Sequence, residues 1–195
     1  MYEYIKGQLT EVTPTEAVIE NGAFGYKLQI SLQTFTEIQS LKEIKLFVYH
    51  HVREDIELLY GFFTKEERNI FSLLIEVSGV GTNTARMMLS SMSSAEIRNA
   101  IISGDVNRIK SIKGIGLKTA QKIIIELKDK LVKGTGTTAD LIPGASSSAN
   151  LEEALSALVM LGFNKAAAEK VLRAVEKEKP DASIEELIKF SLKRL

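Results

Sequence analysis

Leu74-Ile75-Glu76-Val77-Ser78-Gly79-Val80-Gly81-Thr82-Asn83-Thr84-Ala85-Arg86-Met87-Met88-Leu89 is answered 35 residues later by Ile109-Lys110-Ser111-Ile112-Lys113-Gly114-Ile115-Gly116-Leu117-Lys118-Thr119-Ala120-Gln121-Lys122-Ile123-Ile124. Gly79/Gly114, Gly81/Gly116, Thr84/Thr119 and Ala85/Ala120 are identical. Leu74/Ile109, Val77/Ile112, Val80/Ile115, Met88/Ile123 and Leu89/Ile124 are apolar in both copies. A duplicated unit is the first organising signal in a chain. Each copy reads as helix, Gly-apolar-Gly, helix, since the apolar residues before the glycines recur three or four apart. Gly79 and Gly114 fall where a helix C-cap glycine belongs, supplying a positive φ. Gly81 and Gly116 put no side chain in the way of an approaching group. Thr84 and Thr119 lie in the first turn of the following helix, where unpaired backbone N–H groups and the positive end of the dipole suit a phosphate. Contacts to phosphate read no base, so the expected ligand is nucleic acid bound without sequence preference. The candidate phosphate-binding residues are Gly79, Val80, Gly81, Asn83, Thr84 and Arg86 in the first copy. In the second they are Gly114, Ile115, Gly116, Lys118, Thr119 and Lys122.

Charge supports this. The chain is neutral as a whole, but residues 1–63 carry five Lys/Arg against nine Asp/Glu, a net of −4. Residues 64–133 carry twelve against seven, a net of +5, and residues 134–195 eight against nine, a net of −1. From Arg108 to Lys122 there are five basic residues and no acid. Positive charge gathered on the segment with the repeats points to a nucleic-acid partner. Gly79-Val80-Gly81 makes a poor dinucleotide site, with no strand before it and no third glycine, and no Walker A sequence occurs. No cofactor is expected. Without cysteine, and with only His50 and His51, neither disulfides nor a metal site are expected. No signal peptide or spanning segment is read, which makes a cytoplasmic protein the expectation.

Around the repeats, four segments are read. Residues 1–63 are β: Tyr2–Val12, Ala17–Glu20, Tyr26–Ile30, Ile44–Val52 and Ile56–Phe62 are rich in β-branched and aromatic residues, suggesting a small OB-type barrel. Residues 64–133 are helical, with Thr64/Glu67 and Ser93/Glu96 as capping boxes, Asp105 as a cap and a last helix over Leu117–Leu131. On that helix Lys118, Lys122, Glu126 and Lys130 form a ladder, of which Lys130 reads as a solvated position. Residues 134–150 are small and polar, as in a flexible linker. Residues 151–195 read as three short helices, Leu151–Leu161, Lys165–Lys177 and Ser183–Leu195. Glu54-Asp55 lies between two strand-like runs and reads as a hairpin tip, for which ordinary turn chemistry is one account.

The repeated unit resembles the helix-hairpin-helix motif in tandem, and the chain over 1–195 resembles the RuvA family, the bacterial Holliday-junction-binding subunits of branch-migration complexes. The resemblance is most specific in the two hairpins and in Arg53-Glu54-Asp55 followed by Leu59-Tyr60-Gly61-Phe62. It implies a multi-domain fold: an OB-like barrel, a tandem helix-hairpin-helix domain and a C-terminal three-helix domain like the ubiquitin-associated fold. It implies a non-catalytic homotetramer, singly or as two tetramers around the DNA, that holds a four-way junction open and flat. It implies that Glu54 and Asp55 form an acidic pin at the crossover. It implies that an apolar patch among Leu155, Leu158, Leu161, Leu172 and Leu192 docks the hexameric ATPase RuvB, with the RuvC resolvase as a further partner. One departure stands out: family members often carry a basic residue after the first Gly-x-Gly, where this chain has Thr82-Asn83. The first hairpin is therefore expected to bind more weakly, or through backbone N–H groups and Arg86. The rival reading is a helix-hairpin-helix repair enzyme such as a glycosylase, but Asp129 lies on a helix and Asp140 in the linker, and the hairpin region has only Phe71 to line a base pocket. A protein-only scaffold is the third reading.

Overall fold

In the computed structural model, residues 2–133, 147–180 and 182–195 are described, and the chain divides into two compact units, Met1–Thr138 and Ala139–Leu195. The first unit opens with five strands, β1 (Tyr4–Val12), β2 (Glu16–Asn21), β3 (Phe24–Ile30), β4 (Glu43–Val52) and β5 (Glu57–Phe62), closed into a barrel in the order β1-β2-β3-β5-β4. Only the β3–β5 pair is parallel. Alternate residues point inward, as the two-residue strand period requires: Ala17 and Ile19, Leu28 and Ile30, and Ile44, Leu46 and Val48 are all buried. β1 closes the barrel by pairing with β4 along its first half and β2 along its second, with a bulge between Leu9 and Glu11. Gly61 is needed for space, because a Cβ there would lie 2.9 Å from Leu46 Cδ1 and 3.0 Å from Leu28 Cδ2.

A helix that the β reading of 1–63 did not anticipate, α1 (Leu32–Ile38), sits between β3 and β4. Its sequence, Leu-Gln-Thr-Phe-Thr-Glu-Ile, has strand-like composition. It is helical because Ser31 caps it, accepting from the Thr34 amide at 3.1 Å, and because Thr34 and Ile38 pack into the interior.

Five helices follow: α2 (Lys65–Glu76), α3 (Thr82–Ser91), α4 (Ser94–Ser103), α5 (Val106–Lys110) and α6 (Leu117–Lys133). The capping boxes at Thr64/Glu67 and Ser93/Glu96 are formed, and Asp105 caps α5. Barrel and helices do not part at residue 63. Tyr60 and Phe62 of β5 pack on Phe71 of α2 with ring centroids 5.0 and 4.9 Å apart, and one apolar core runs from them to Leu131. Glu67 lies buried under this seam, its carboxylate accepting the Phe63 amide (2.8 Å), the Thr64 amide (3.2 Å) and the Thr34 hydroxyl (3.4 Å).

The second unit contains α7 (Ser147–Met160), α8 (Lys165–Glu178) and α9 (Ile184–Leu192) around Ala154, Leu158, Ala168, Leu172, Val175 and Leu187. The expected linker, 134–150, lies outside the described residues as far as 146; from Ser147 the chain is helical rather than linker. Gly162 (φ +97°) turns α7 into α8, Asn164 caps α8, and Ser183 forms a capping box with Glu186.

Candidate nucleic-acid interface

The two copies of the repeat fold alike down to individual hydrogen bonds. The amides of Val77, Val80 and Ala85 donate to the carbonyls of Leu74 (3.1 Å), Val77 (2.9 Å) and Gly81 (2.9 Å). Thirty-five residues on, Ile112, Ile115 and Ala120 donate to Ile109 (3.3 Å), Ile112 (3.1 Å) and Gly116 (3.0 Å). Gly79 and Gly114 have φ of +94° and +89°, a region that side chains resist. They are not helix caps, however: the C-caps are Val77 and Ser111, and the glycines stand further on, inside the turn. Val80 and Ile115 also depart from the sequence reading. Their side chains are buried and their amides close the turn, so they anchor the hairpins and offer nothing to a ligand.

Gly81 and Gly116 differ from the first pair of glycines. Neither has a positive φ, Gly81 lying at −84°, and a Cβ at either would meet nothing within 4 Å. The fold does not need glycine at these two places. Each stands immediately before a helix, and no side chain caps α3. Ala85 and Ala120 are the first amides bonded back to those glycines, leaving the amides of Thr82, Asn83 and Thr84, and of Leu117, Lys118 and Thr119, without an intrahelical acceptor. These two open helix starts form the candidate anion surface.

The basic residues divide unequally. Lys118 is exposed in the first turn of α6, and Lys122 is half-buried, 3.8 Å from Glu126. Lys130 is exposed as expected, yet it also reaches across to Glu76 of α2 at 2.6 Å. Arg108 pairs with Glu96 at 2.8 Å. Arg86, expected among the phosphate contacts, turns instead to the barrel: its Nη1 donates to Gln29 Oε1 at 2.6 Å and to the Thr15 carbonyl at 3.2 Å. The first hairpin is left with main-chain donors and the side chains of Asn83 and Thr84.

Glu54 and Asp55 stand exposed at the tip of the β4–β5 hairpin, in a loop closed by the Arg53 amide on the Ile56 carbonyl at 2.8 Å. Below them His50 Nε2 and Glu57 Oε1 are 2.9 Å apart across the two strands. In the second unit, Leu158 and Leu172 are fully buried in the core and are removed from the expected docking patch. Leu155 is half-buried in an open groove of about 890 Å³ that Val159 and Met160 also line. Leu161 (62 % exposed), Leu192 (42 %) and Met160 (85 %) are open to solvent; Met160, in the stretch Met160-Leu161-Gly162-Phe163 that resembles the ubiquitin-associated fold, was not among the expected docking residues. Among the described residues no group of three His, Cys, Asp or Glu could hold a metal, and no helix is long and apolar enough to cross a membrane.

Three family models match the chain: the RuvA N terminal domain over residues 1–61, the SAM-like helix-hairpin-helix tandem over 71–129, and the RuvA C-terminal domain over 149–195. The proteins named Holliday junction branch migration complex subunit RuvA from Bacteroides thetaiotaomicron and Christiangramia forsetii are each 49% identical to it, and that of Bacteroides fragilis 48%. All three alignments cover 100% of this chain and 100% of the relative. The matches thus cover the barrel, the paired hairpins and the C-terminal helices in turn, and the chain belongs to the RuvA family.

Proposed function

We propose that this protein binds four-way DNA junctions by shape and presents them to a RuvB-type motor for branch migration. The observation that carries the reading is the pair Gly81 and Gly116. Glycine stands at both although neither backbone angle nor packing demands it, and each fronts a helix start with unpaired amides. A phosphodiester fits there, held by main-chain N–H groups with Asn83, Thr84 and Thr119 beside them and with Lys118 and Lys122 adding charge on the second hairpin. Glu54 and Asp55, exposed at a hairpin tip on an acidic barrel, repel phosphates at the crossover and keep the strands apart. Four copies around one junction bring eight hairpins to four arms. Leu155, Leu161 and Leu192, with Val159 and Met160 near the first two in sequence, supply the apolar surface for the motor. The protein supplies no catalytic residue of its own.

The test uses substitutions that favour the fold and obstruct the ligand. Asn is a good N-cap whose side chain takes up the amides of the first turn. Gly81→Asn with Gly116→Asn is expected to hold or slightly raise the melting temperature. Junction affinity should fall by at least about a hundredfold, since several hydrogen bonds to a charged group are lost. A folded double variant that still shifts a synthetic junction like the parent overturns the reading.

A further inference from the structure

Arg86 lies one turn inside α3, the helix whose start is the first hairpin's anion surface, and its guanidinium is committed to the barrel. It grips Gln29 Oε1 (2.6 Å) and the Thr15 carbonyl (3.2 Å). Gln29 is oriented for this, because its amide nitrogen donates to Glu16 Oε1 at 2.8 Å and Glu16 in turn holds Lys27 at 2.8 Å. A second tie lies one turn along: Ser90 Oγ accepts the Leu32 amide at the start of α1 (3.1 Å) and donates to the Arg86 carbonyl (2.9 Å). Gln29 sits on β3 opposite Tyr60 of β5, the strand that begins just below the Glu54-Asp55 tip. Position 121, the counterpart of Arg86 in the second copy, is an exposed glutamine.

We propose that Arg86 is a positioning residue that fixes the first hairpin at a set angle to the strand pair carrying the acidic tip, and thereby sets the preference for four-way over linear DNA. The proposal rests on the junction-binding reading. A hairpin that merely grips phosphate binds duplex and junction arms alike. Discrimination requires that arm and crossover be engaged at once, and so requires a rigid relation between hairpin and tip. One guanidinium nitrogen, Nη1, donates to a backbone carbonyl and to an oriented amide at once, and the planar group that carries it fixes the directions of both bonds.

The experiment measures affinity for a synthetic four-way junction and for a linear duplex of the same arm sequence, across a salt series, for the parent, Arg86→Met, Gln29→Met and the double variant. For Arg86→Met the ratio of junction to duplex affinity is expected to fall about tenfold, with duplex affinity held within about twofold, as for a coupled contact remote from the DNA. Gln29→Met should reproduce the loss and the double variant should add nothing to it. Gln29→Met leaves the arginine in place and carries the test if Arg86→Met folds poorly. Two results overturn the proposal. In one, the junction preference survives both single variants. In the other, Arg86→Met weakens duplex and junction equally and lowers the salt slope by about 1, which would make Arg86 a phosphate contact. A parent chain that shows no junction preference would instead overturn the reading beneath, and the brace with it.

Discussion

The first and second hairpins share their backbone and their buried side chains and differ in the charged groups attached to them. Both turn on a positive-φ glycine, both bury the residue between the glycines, and both open a helix start to solvent. Among the described residues the first turn of α3 carries no lysine, and its one arginine, Arg86, is drawn off to the barrel. The second has Lys118 and Lys122 at its start, and α6 is tied to the other helices by Lys130 on Glu76 and by Arg98 on the Leu131 carbonyl. Duplication thus yields one hairpin fixed by its mounting and one strengthened by its charge. Main-chain donors aim at a fixed point, whereas lysines reach and tolerate error. The first is suited to setting geometry and the second to supplying affinity.

Separate substitution of the two front glycines tests this division with the largest effect. Gly81→Asn alone should cost about thirtyfold in junction affinity, because with those amides taken up only the neutral side chains of Asn83 and Thr84 are left there to hold a phosphate. Gly116→Asn should cost only about fivefold, because two lysines remain. Equal losses, measured by titration against one junction at fixed salt, would break the comparison.

A smaller effect comes from moving charge between the copies. Lys118→Gln should lower the slope of log affinity against log salt by about 1, and Asn83→Lys, at the matching position, should raise it by about as much. At the ionic strength of the assay each amounts to a few-fold change in affinity, of opposite sign. If Asn83→Lys leaves the slope unchanged, the first helix start does not face a phosphate.

The repeat was legible because local rules decide it. A positive φ selects Gly79 and Gly114, and capping boxes mark Thr64 and Ser93, with no help from distant residues. The five strands were legible by composition, although their ends moved by one or two residues. What escaped is tertiary in origin. α1 has strand-like residues and is helical because Ser31 caps it and the core receives Thr34 and Ile38. Arg86 reads as a free cation next to a phosphate site until the barrel brings Gln29 to it from 57 residues away. Leu158 and Leu172 are indistinguishable by type from Leu155 and Leu161, and only the packing of three helices sorts core from surface.

The smallest expected effect concerns how firmly the first hairpin is mounted, and it is read through pH. Glu67, under the seam between barrel and α2, has its pKa raised above the ordinary 4.5: burial, the largest influence, disfavours the charged form more than the amides of Thr64 and Phe63 and the Thr34 hydroxyl favour it. The folded state therefore holds the proton more tightly than the unfolded chain does. The stabilisation this gives is complete below the unfolded value and is lost as pH rises through the folded one. Thermal melts from pH 4 upward, an approximate starting point set by the ordinary carboxylate range, should show that loss in the parent. Glu67→Gln, which cannot titrate, should show a flatter profile over the same interval. The acids Glu3, Glu16 and Glu96 act in the opposite direction, their pKa values being lowered chiefly by Arg68, Lys27 and the Ser93 amide respectively, so the comparison must be made between parent and variant rather than within one curve. Because the seam carries α2 into the first turn, the pH-dependent difference should be accompanied by a change in junction affinity for Gly116→Asn, which relies on the first hairpin, and not for Gly81→Asn. A pH dependence identical in the two backgrounds would show that the seam supports both hairpins alike.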